Sequence, residues 1–307
     1  MEIFIHLGYP KTGSTFLQQQ VFPLIKDINY IGKPFKKEEL SKIFIDIIQL
    51  NDDEFIKKRG QIIDEIENYF AKSNFKKVLL SYEDFMVATI LNTKEIPETN
   101  QIFKTLNRTN EIFSTFGKVN FFFCIRNYIE ILEKNLNQFV PYFNFQYRYK
   151  DFYMNLNGEK KNNFILKNFF YGEIYNFIKA ISKNSKIFLY EDLKKDYKVF
   201  INELLRYLEV DQNVEEIQIK NVKINPSKSF IYWFKLYFKN ILINPKKILK
   251  YENYIGMFKK IKYIFNRKRK TFSVKKDKQL ILKFYSPDFN LLPEETKTKC
   301  VNYGYFD

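Results

Sequence analysis

The chain is poor in the residues that build metal centres and covalent frameworks. It has one histidine, His6, and two cysteines, Cys124 and Cys300, in 307 residues. Cysteines so far apart give neither a disulfide framework nor the paired spacing of a zinc site, and no His/Cys/carboxylate cluster is spaced to hold a metal. Cys124 sits within Phe121-Phe122-Phe123-Cys124-Ile125, where a buried reduced thiol is expected. The sequence also lacks any uninterrupted apolar stretch of the roughly 18 or more residues that a membrane span needs. Its first residues, Met1 to Ser14, have no charged segment followed by a long apolar one, so they do not read as a secretory signal. No internal repeat and no Gly/Ser linker interrupts the chain. These absences lead us to expect one domain over residues 1–307 in a reducing, cytoplasmic setting.

What is abundant is apolar and aromatic. Apolar residues make up 45% of the chain, with 34 Phe and 22 Tyr, enough for a large α/β core. Their abundance, with that of Lys, Asn and Ile, fits a codon-composition bias as well as any functional demand. The formal charge of +16 is concentrated: residues 220–283 hold 19 Lys and Arg against Glu252 and Asp277, while the remainder is nearly balanced. A regional excess of this kind implies a regional partner.

Short apolar runs at Glu2–Leu7, Lys77–Ser81, Val119–Ile125 and Lys186–Tyr190 lack polar alternation and read as strands covered on both faces. Between them, Thr15–Ile25, Glu54–Ala71, Tyr128–Phe139 and Val199–Leu208 have helical spacing. Alternating strands and helices predict an α/β fold: three layers around a central, mostly parallel sheet, like that of the P-loop proteins. From Asn225 the texture changes. Pro226 and Pro245 punctuate two basic, aromatic-rich segments, Phe230–Ile243 and Lys246–Phe265, which give the fold a basic helical C-terminal region. Two readings stand side by side there: helices packed on the core with a solvated basic face, or an amphipathic surface for anionic lipid or an anionic acceptor, which would make the protein peripheral to a membrane. A basic membrane- or nucleic-acid-binding module centred on residues 220–283 is the alternative from a different class, with nucleic acid the less favoured partner because it leaves the N-terminal loop and Arg126 without a role.

The sharpest local pattern runs from Ile3 to Leu17. An apolar strand enters a turn containing Gly8 and Gly13, and a helix starts near Ser14. Exposed N–H groups at such a helix start, with the helix dipole behind them, stabilise a phosphate. Ser14 and Thr15 add hydroxyls, and Lys11 adds a full charge. The spacing is Gly-x4-Gly, as in nucleotide-binding P-loops, but Lys11 stands two places before the second glycine, not after it. That displacement weighs against an ATP- or GTP-dependent kinase, which remains the alternative on the same scaffold. His6, one strand position before the loop, reads as a satisfied side chain, with a second-choice role as a base.

The run Tyr9-Pro10-Lys11-Thr12-Gly13-Ser14-Thr15 resembles the 5′-phosphosulfate loop of sulfotransferases that use 3′-phosphoadenosine 5′-phosphosulfate (PAPS), of the bacterial and carbohydrate-type kind. The resemblance implies nucleotide contacts from Lys11, Thr12, Gly13, Ser14 and Thr15. Three further segments are similar to parts of that family. Phe121-Phe122-Phe123-Cys124-Ile125-Arg126-Asn127 resembles the strand whose terminal arginine holds the 3′-phosphate, which implies that role for Arg126. A serine usually follows eight residues later; here Lys134 stands in that place and would supply a point charge. Val78-Leu79-Leu80-Ser81-Tyr82-Glu83-Asp84-Phe85 resembles the strand end that carries the catalytic glutamate, which implies Glu83 as base and Asp84 as structural.

Ile187 to Leu193, with Tyr190-Glu191-Asp192-Leu193, resembles an architectural strand-to-helix element. The tail from Phe284 to Asp307 looks like the C-terminus of bacterial members, and Lys223 to Ser227 is a weak match to an element near the nucleotide. The implied activity is sulfuryl transfer from PAPS to an acceptor hydroxyl, with a glycan the expected acceptor and a small phenol or alcohol the other candidate, Lys11 and Glu83 catalytic, 3′-phosphoadenosine 5′-phosphate (PAP) released, and no metal.

Overall fold

In the computed structural model, residues 1–33, 38–71, 75–82, 85–86, 101–139, 169–182, 184–219 and 278–306 are described. The strands are β1 (Glu2–Leu7), β2 (Asn29–Gly32), β3 (Lys77–Tyr82), β4 (Lys118–Ile125) and β5 (Lys186–Leu189). The helices are α1 (Ser14–Phe16), α2 (Glu38–Gln49), α3 (Asp52–Phe70), α4 (Gln101–Ser114), α5 (Tyr128–Phe139), α6 (Tyr171–Ile181), α7 (Tyr190–Lys195), α8 (Tyr197–Tyr207), α9 (Lys278–Phe289) and α10 (Glu294–Asn302). All strand pairs are parallel, in the order β2-β3-β1-β4-β5. This is the three-layer, P-loop-like α/β architecture expected from the apolar runs. The basic residues 220–277 lie outside the described residues.

Strand alternation divides the interior in two. Ile3, Ile5 and Leu7 of β1 face a large cluster with α2, α3, α4, α5, α6 and α9. Phe4, with Leu79, Phe122 and Phe188 on neighbouring strands, faces a second cluster with Leu17, Phe22 and α8. Ile3, Phe4, Ile5 and Leu7 have no exposed surface, which explains why the run carries no polar alternation.

Three boundaries differ from expectation for physical reasons. The segment Thr15–Ile25 is not one regular helix: α1 passes into a π turn at Leu17–Val21 and a 3-10 turn at Phe22–Leu24. Pro23 lies in that last turn, and a proline can neither donate to the ladder nor clear the preceding turn. Tyr190 opens α7 instead of ending β5. β2, four residues at the sheet edge, has too short a pattern to be read from its sequence.

The C-terminal helices are tied to the sheet through a buried carboxylate. Asp288 on α9 is 2% exposed and accepts from the backbone N–H groups of Gly172 (3.1 Å) and Glu173 (2.8 Å) and from the Tyr128 hydroxyl (3.1 Å). It therefore satisfies the open N–H groups at the start of α6. Tyr128 stacks between Tyr171 and Tyr285, at ring separations of 5.0 and 4.4 Å. Burial raises the Asp288 carboxyl to about 6, against the pull of its donors.

A raised folded-state pKa means that the fold favours the protonated acid. Its stabilising contribution is present at low pH and is lost as pH rises from about 4 through about 6. The Asp288→Asn variant keeps one of the two acceptor oxygens, at a cost that does not vary with pH, and does not titrate. In denaturant unfolding, the stability of wild type relative to this variant should fall by up to about 3 kcal/mol between pH 4 and pH 7.5. A difference independent of pH would contradict the assignment.

Candidate functional site

In an open parallel sheet, ligands sit beyond the carboxyl ends of the strands, where connections leave in opposite directions. Here the chain leaves β1 toward β2 and leaves β4 toward β5, so the parting lies between β1 and β4. Residues 8–15 and the pair Arg126-Asn127 follow these two strands. Leu7 is in register with Tyr82 of β3 and Phe123 of β4, so the three strand ends share one edge.

The loop after β1 is held by its own side chains. The hydroxyls of Thr12 (2.8 Å) and Ser14 (3.1 Å) both donate to the Tyr9 carbonyl, and both residues are buried. Lys11 has φ 68° and Gly13 φ 89°, two left-handed positions in one short turn. At Gly13 the left-handed backbone favours glycine, and a Cβ there would stand 2.6 Å from Cδ2 of Leu193, which would have to shift. Lys11 adopts a conformation that costs a side-chain-bearing residue about 1 kcal/mol, and its carbonyl thereby meets Arg126. Thr15 and Lys11 are partly exposed at the same turn. The backbone N–H groups of a first helical turn find no acceptor inside the helix.

Arg126 is 8% exposed and held on three sides. Its Nη1 donates to the Lys11 carbonyl at 2.9 Å. Its Nε and Nη2 donate to Oε2 of Glu130 at 3.1 and 2.5 Å. Its guanidinium carbon lies 4.3 Å from the centre of the Tyr190 ring, a cation-π arrangement. The structure thus brings Lys11, Thr12, Gly13, Ser14, Thr15 and Arg126 to one edge. Lys134 is exposed, two turns of α5 beyond Arg126, and its charge reaches Glu130. Glu83 and Asp84 lie outside the described residues; the strand that precedes them ends at Tyr82 beside Leu7.

His6 lies beneath the loop, not in it. It has no exposed surface, packs against Phe22 and Phe122, and shares a 2.7 Å hydrogen bond from Nδ1 to the Ser81 hydroxyl. Gln18 donates to the same hydroxyl at 3.0 Å. Burial lowers the imidazole to about 3, so it is neutral.

The Tyr190-Glu191-Asp192-Leu193 element connects the site to the tail. The Glu191 carboxylate accepts from the Asn127 backbone N–H (3.1 Å) and the Tyr305 hydroxyl (2.7 Å), while Asn127 Nδ2 donates to the Gly304 carbonyl at 3.0 Å. Tyr303 donates to Asp192 at 2.6 Å. Tyr171 adds a 3.2 Å bond to the Arg126 carbonyl. Burial raises the Glu191 carboxyl, opposed by Tyr305 and Asn127. The residues missed from sequence are therefore Glu130, Tyr171 and Tyr305. For Glu130 a signal existed, a carboxylate four residues after an arginine at a helix start. Both cysteines are buried and free.

Two substitutions probe this arrangement. Tyr305→Phe removes one donor from a buried carboxylate and should cost ~1–3 kcal/mol in denaturant unfolding; a cost near zero would show that the tail is not bound through Glu191. Gly13→Ala should destabilise by ~1–3 kcal/mol, since it meets both left-handed backbone and Leu193.

No family model matches the chain, and no curated protein matches it. A solved structure described as a sulfotransferase from Alicyclobacillus acidocaldarius is similar over 77% of this chain and 91% of that one, with 11% identity and a TM-score of 0.41. Among the described residues, no helix is long and apolar enough to cross a membrane.

Proposed function

We propose that this protein is a sulfotransferase that moves the sulfuryl group of PAPS to a hydroxyl of an acceptor, with a glycan as the acceptor class to test first. One observation carries the reading: the 2.9 Å bond from Arg126 Nη1 to the Lys11 carbonyl, which joins the two cationic elements that the sequence assigns to opposite ends of one nucleotide. A 3′-phosphate and a 5′-phosphosulfate need positive charge at two separated points on one rim. The loop at residues 8–15 and the guanidinium at residue 126 supply that. The groups present fit such a ligand: helix-start N–H groups, the Lys11 ammonium and a planar fork of N–H donors.

Sulfuryl transfer, like phosphoryl transfer, depends on position and charge stabilisation more than on covalent help. In this reading the loop amides bind the phosphosulfate, and the Lys11 ammonium offsets the negative charge that grows on the bridging oxygen as PAP departs. Glu83 takes the proton of the attacking hydroxyl, a role worth ~10²–10⁴-fold. The bond from sulfur to the bridging oxygen breaks as that to the acceptor oxygen forms. His6, neutral and enclosed below the loop, bonds through Nδ1 to the Ser81 hydroxyl, which also accepts from Gln18.

The test is PAP release with a panel of glycan acceptors. Lys11→Ala should abolish turnover with the fold intact by circular dichroism. Glu83→Gln should lower kcat by ~10²-fold or more while the nucleotide still binds. Full turnover by Lys11→Ala would overturn the loop assignment, and an active Glu83→Gln enzyme would remove Glu83 from the base role.

A further inference from the structure

Arg126 is engaged before any ligand arrives. Its Nε and Nη2, the side-on pair of donors whose geometry matches two phosphate or carboxylate oxygens, are both taken by Oε2 of Glu130. The two side chains differ sharply in exposure: that of Arg126 is 10% accessible and that of Glu130 is 50%. Glu130 is therefore the solvent-exposed member of the pair. The other contacts, the Lys11 carbonyl and the Tyr190 ring, hold the guanidinium from the loop and from α7, leaving the Glu130 side as the outer one.

We infer that Glu130 is an internal competitor for the anion at Arg126: it occupies the fork in the ligand-free protein, and the incoming phosphate must displace it. This rests on the anion-binding role proposed above for Arg126. An arginine buried to this degree with no anion beside it would be costly, so an acid at the fork stabilises the empty state. That acid also sets a threshold. A weak monoanion gains too little to displace a carboxylate already in place, whereas a dianionic phosphate ester offers more charge to the same fork. Lys134 and Lys194 are both exposed, and their charges act on Glu130 where it stands. Burial works to raise the Glu130 carboxyl, and the hydrogen bond and charge of Arg126 outweigh it, holding it below the usual range. It is thus ionised, and an effective competitor, throughout the physiological pH range.

The roles of competitor and of positioning residue predict opposite signs. If Glu130 competes, Glu130→Gln and Glu130→Ala should bind adenosine 3′,5′-bisphosphate about three- to tenfold more tightly than wild type by calorimetry. The affinity for adenosine 5′-monophosphate, which lacks the second phosphate, should change little. If Glu130 merely orients Arg126, both variants should bind the bisphosphate more weakly, and that result, or unchanged affinity, overturns the proposal. Should wild type ignore the bisphosphate, the sulfotransferase reading fails, and Glu130 is then judged with inorganic phosphate. Phosphate should protect Arg126 from phenylglyoxal, followed by mass spectrometry, at lower concentration in Glu130→Gln than in wild type; equal or higher concentrations overturn the proposal in that case too.

Discussion

The structure turns on one buried cation. The guanidinium of Arg126 stands at the end of a strand with almost no exposed side chain, and a charge in that position is tolerated only if its donors are met. They are met from three directions: a carbonyl from the loop after β1, an aromatic ring from α7, and a carboxylate from α5, the helix that follows it. Each of these contacts reaches back into the fold. The Lys11 carbonyl is aimed by a left-handed backbone, and that turn in turn requires Gly13 packed on Leu193. The ring of Tyr190 is placed by the strand-to-helix junction at the end of β5.

The same logic extends through the polar interior. Glu191, one residue after Tyr190, binds the Asn127 amide and the Tyr305 hydroxyl, so the tail closes over the strand end that bears Arg126. Asp288 performs a parallel task for α6, whose first residue, Tyr171, donates to the Arg126 carbonyl. Both carboxyls are raised by burial, a cost offset by their donors. The abundant tyrosines are thus not only bulk. Tyr128, Tyr171 and Tyr305 each bring a hydroxyl to a buried acceptor while their rings fill the core.

Much of the framework was legible because the sheet is buried on both faces, so β1, β3, β4 and β5 each write a mostly apolar run, broken only by buried polar residues such as His6, Ser81 and Asn120. β2 has only four residues at the edge and writes none. The loop and Arg126 were legible through the residue pattern around them, and the structure brings them to one edge. Their roles remain those of the proposal. Thr12 and Ser14 illustrate what a pattern does not carry: a hydroxyl in a loop can face a ligand or fold back on a carbonyl, and here both fold back on Tyr9. The spacing of Arg126 and Glu130 allows an i,i+4 pair, but spacing alone does not say whether the guanidinium turns to that carboxylate. Glu83 and the basic residues 220–277 lie outside the described residues, so the structure adds nothing to what their sequence implies.

The central claim is that one rim of cationic groups, with Arg126 at its fixed end, recognises a nucleotide bearing phosphates at both ribose positions. Calorimetric titration of wild type and Arg126→Ala with adenosine 3′,5′-bisphosphate, and of wild type with ATP and magnesium, tests it most directly. The account predicts that wild type binds the bisphosphate in preference to ATP and that Arg126→Ala loses at least about tenfold in affinity, the scale of a charge-assisted hydrogen bond. Preference for ATP, or bisphosphate affinity indifferent to Arg126, would contradict it.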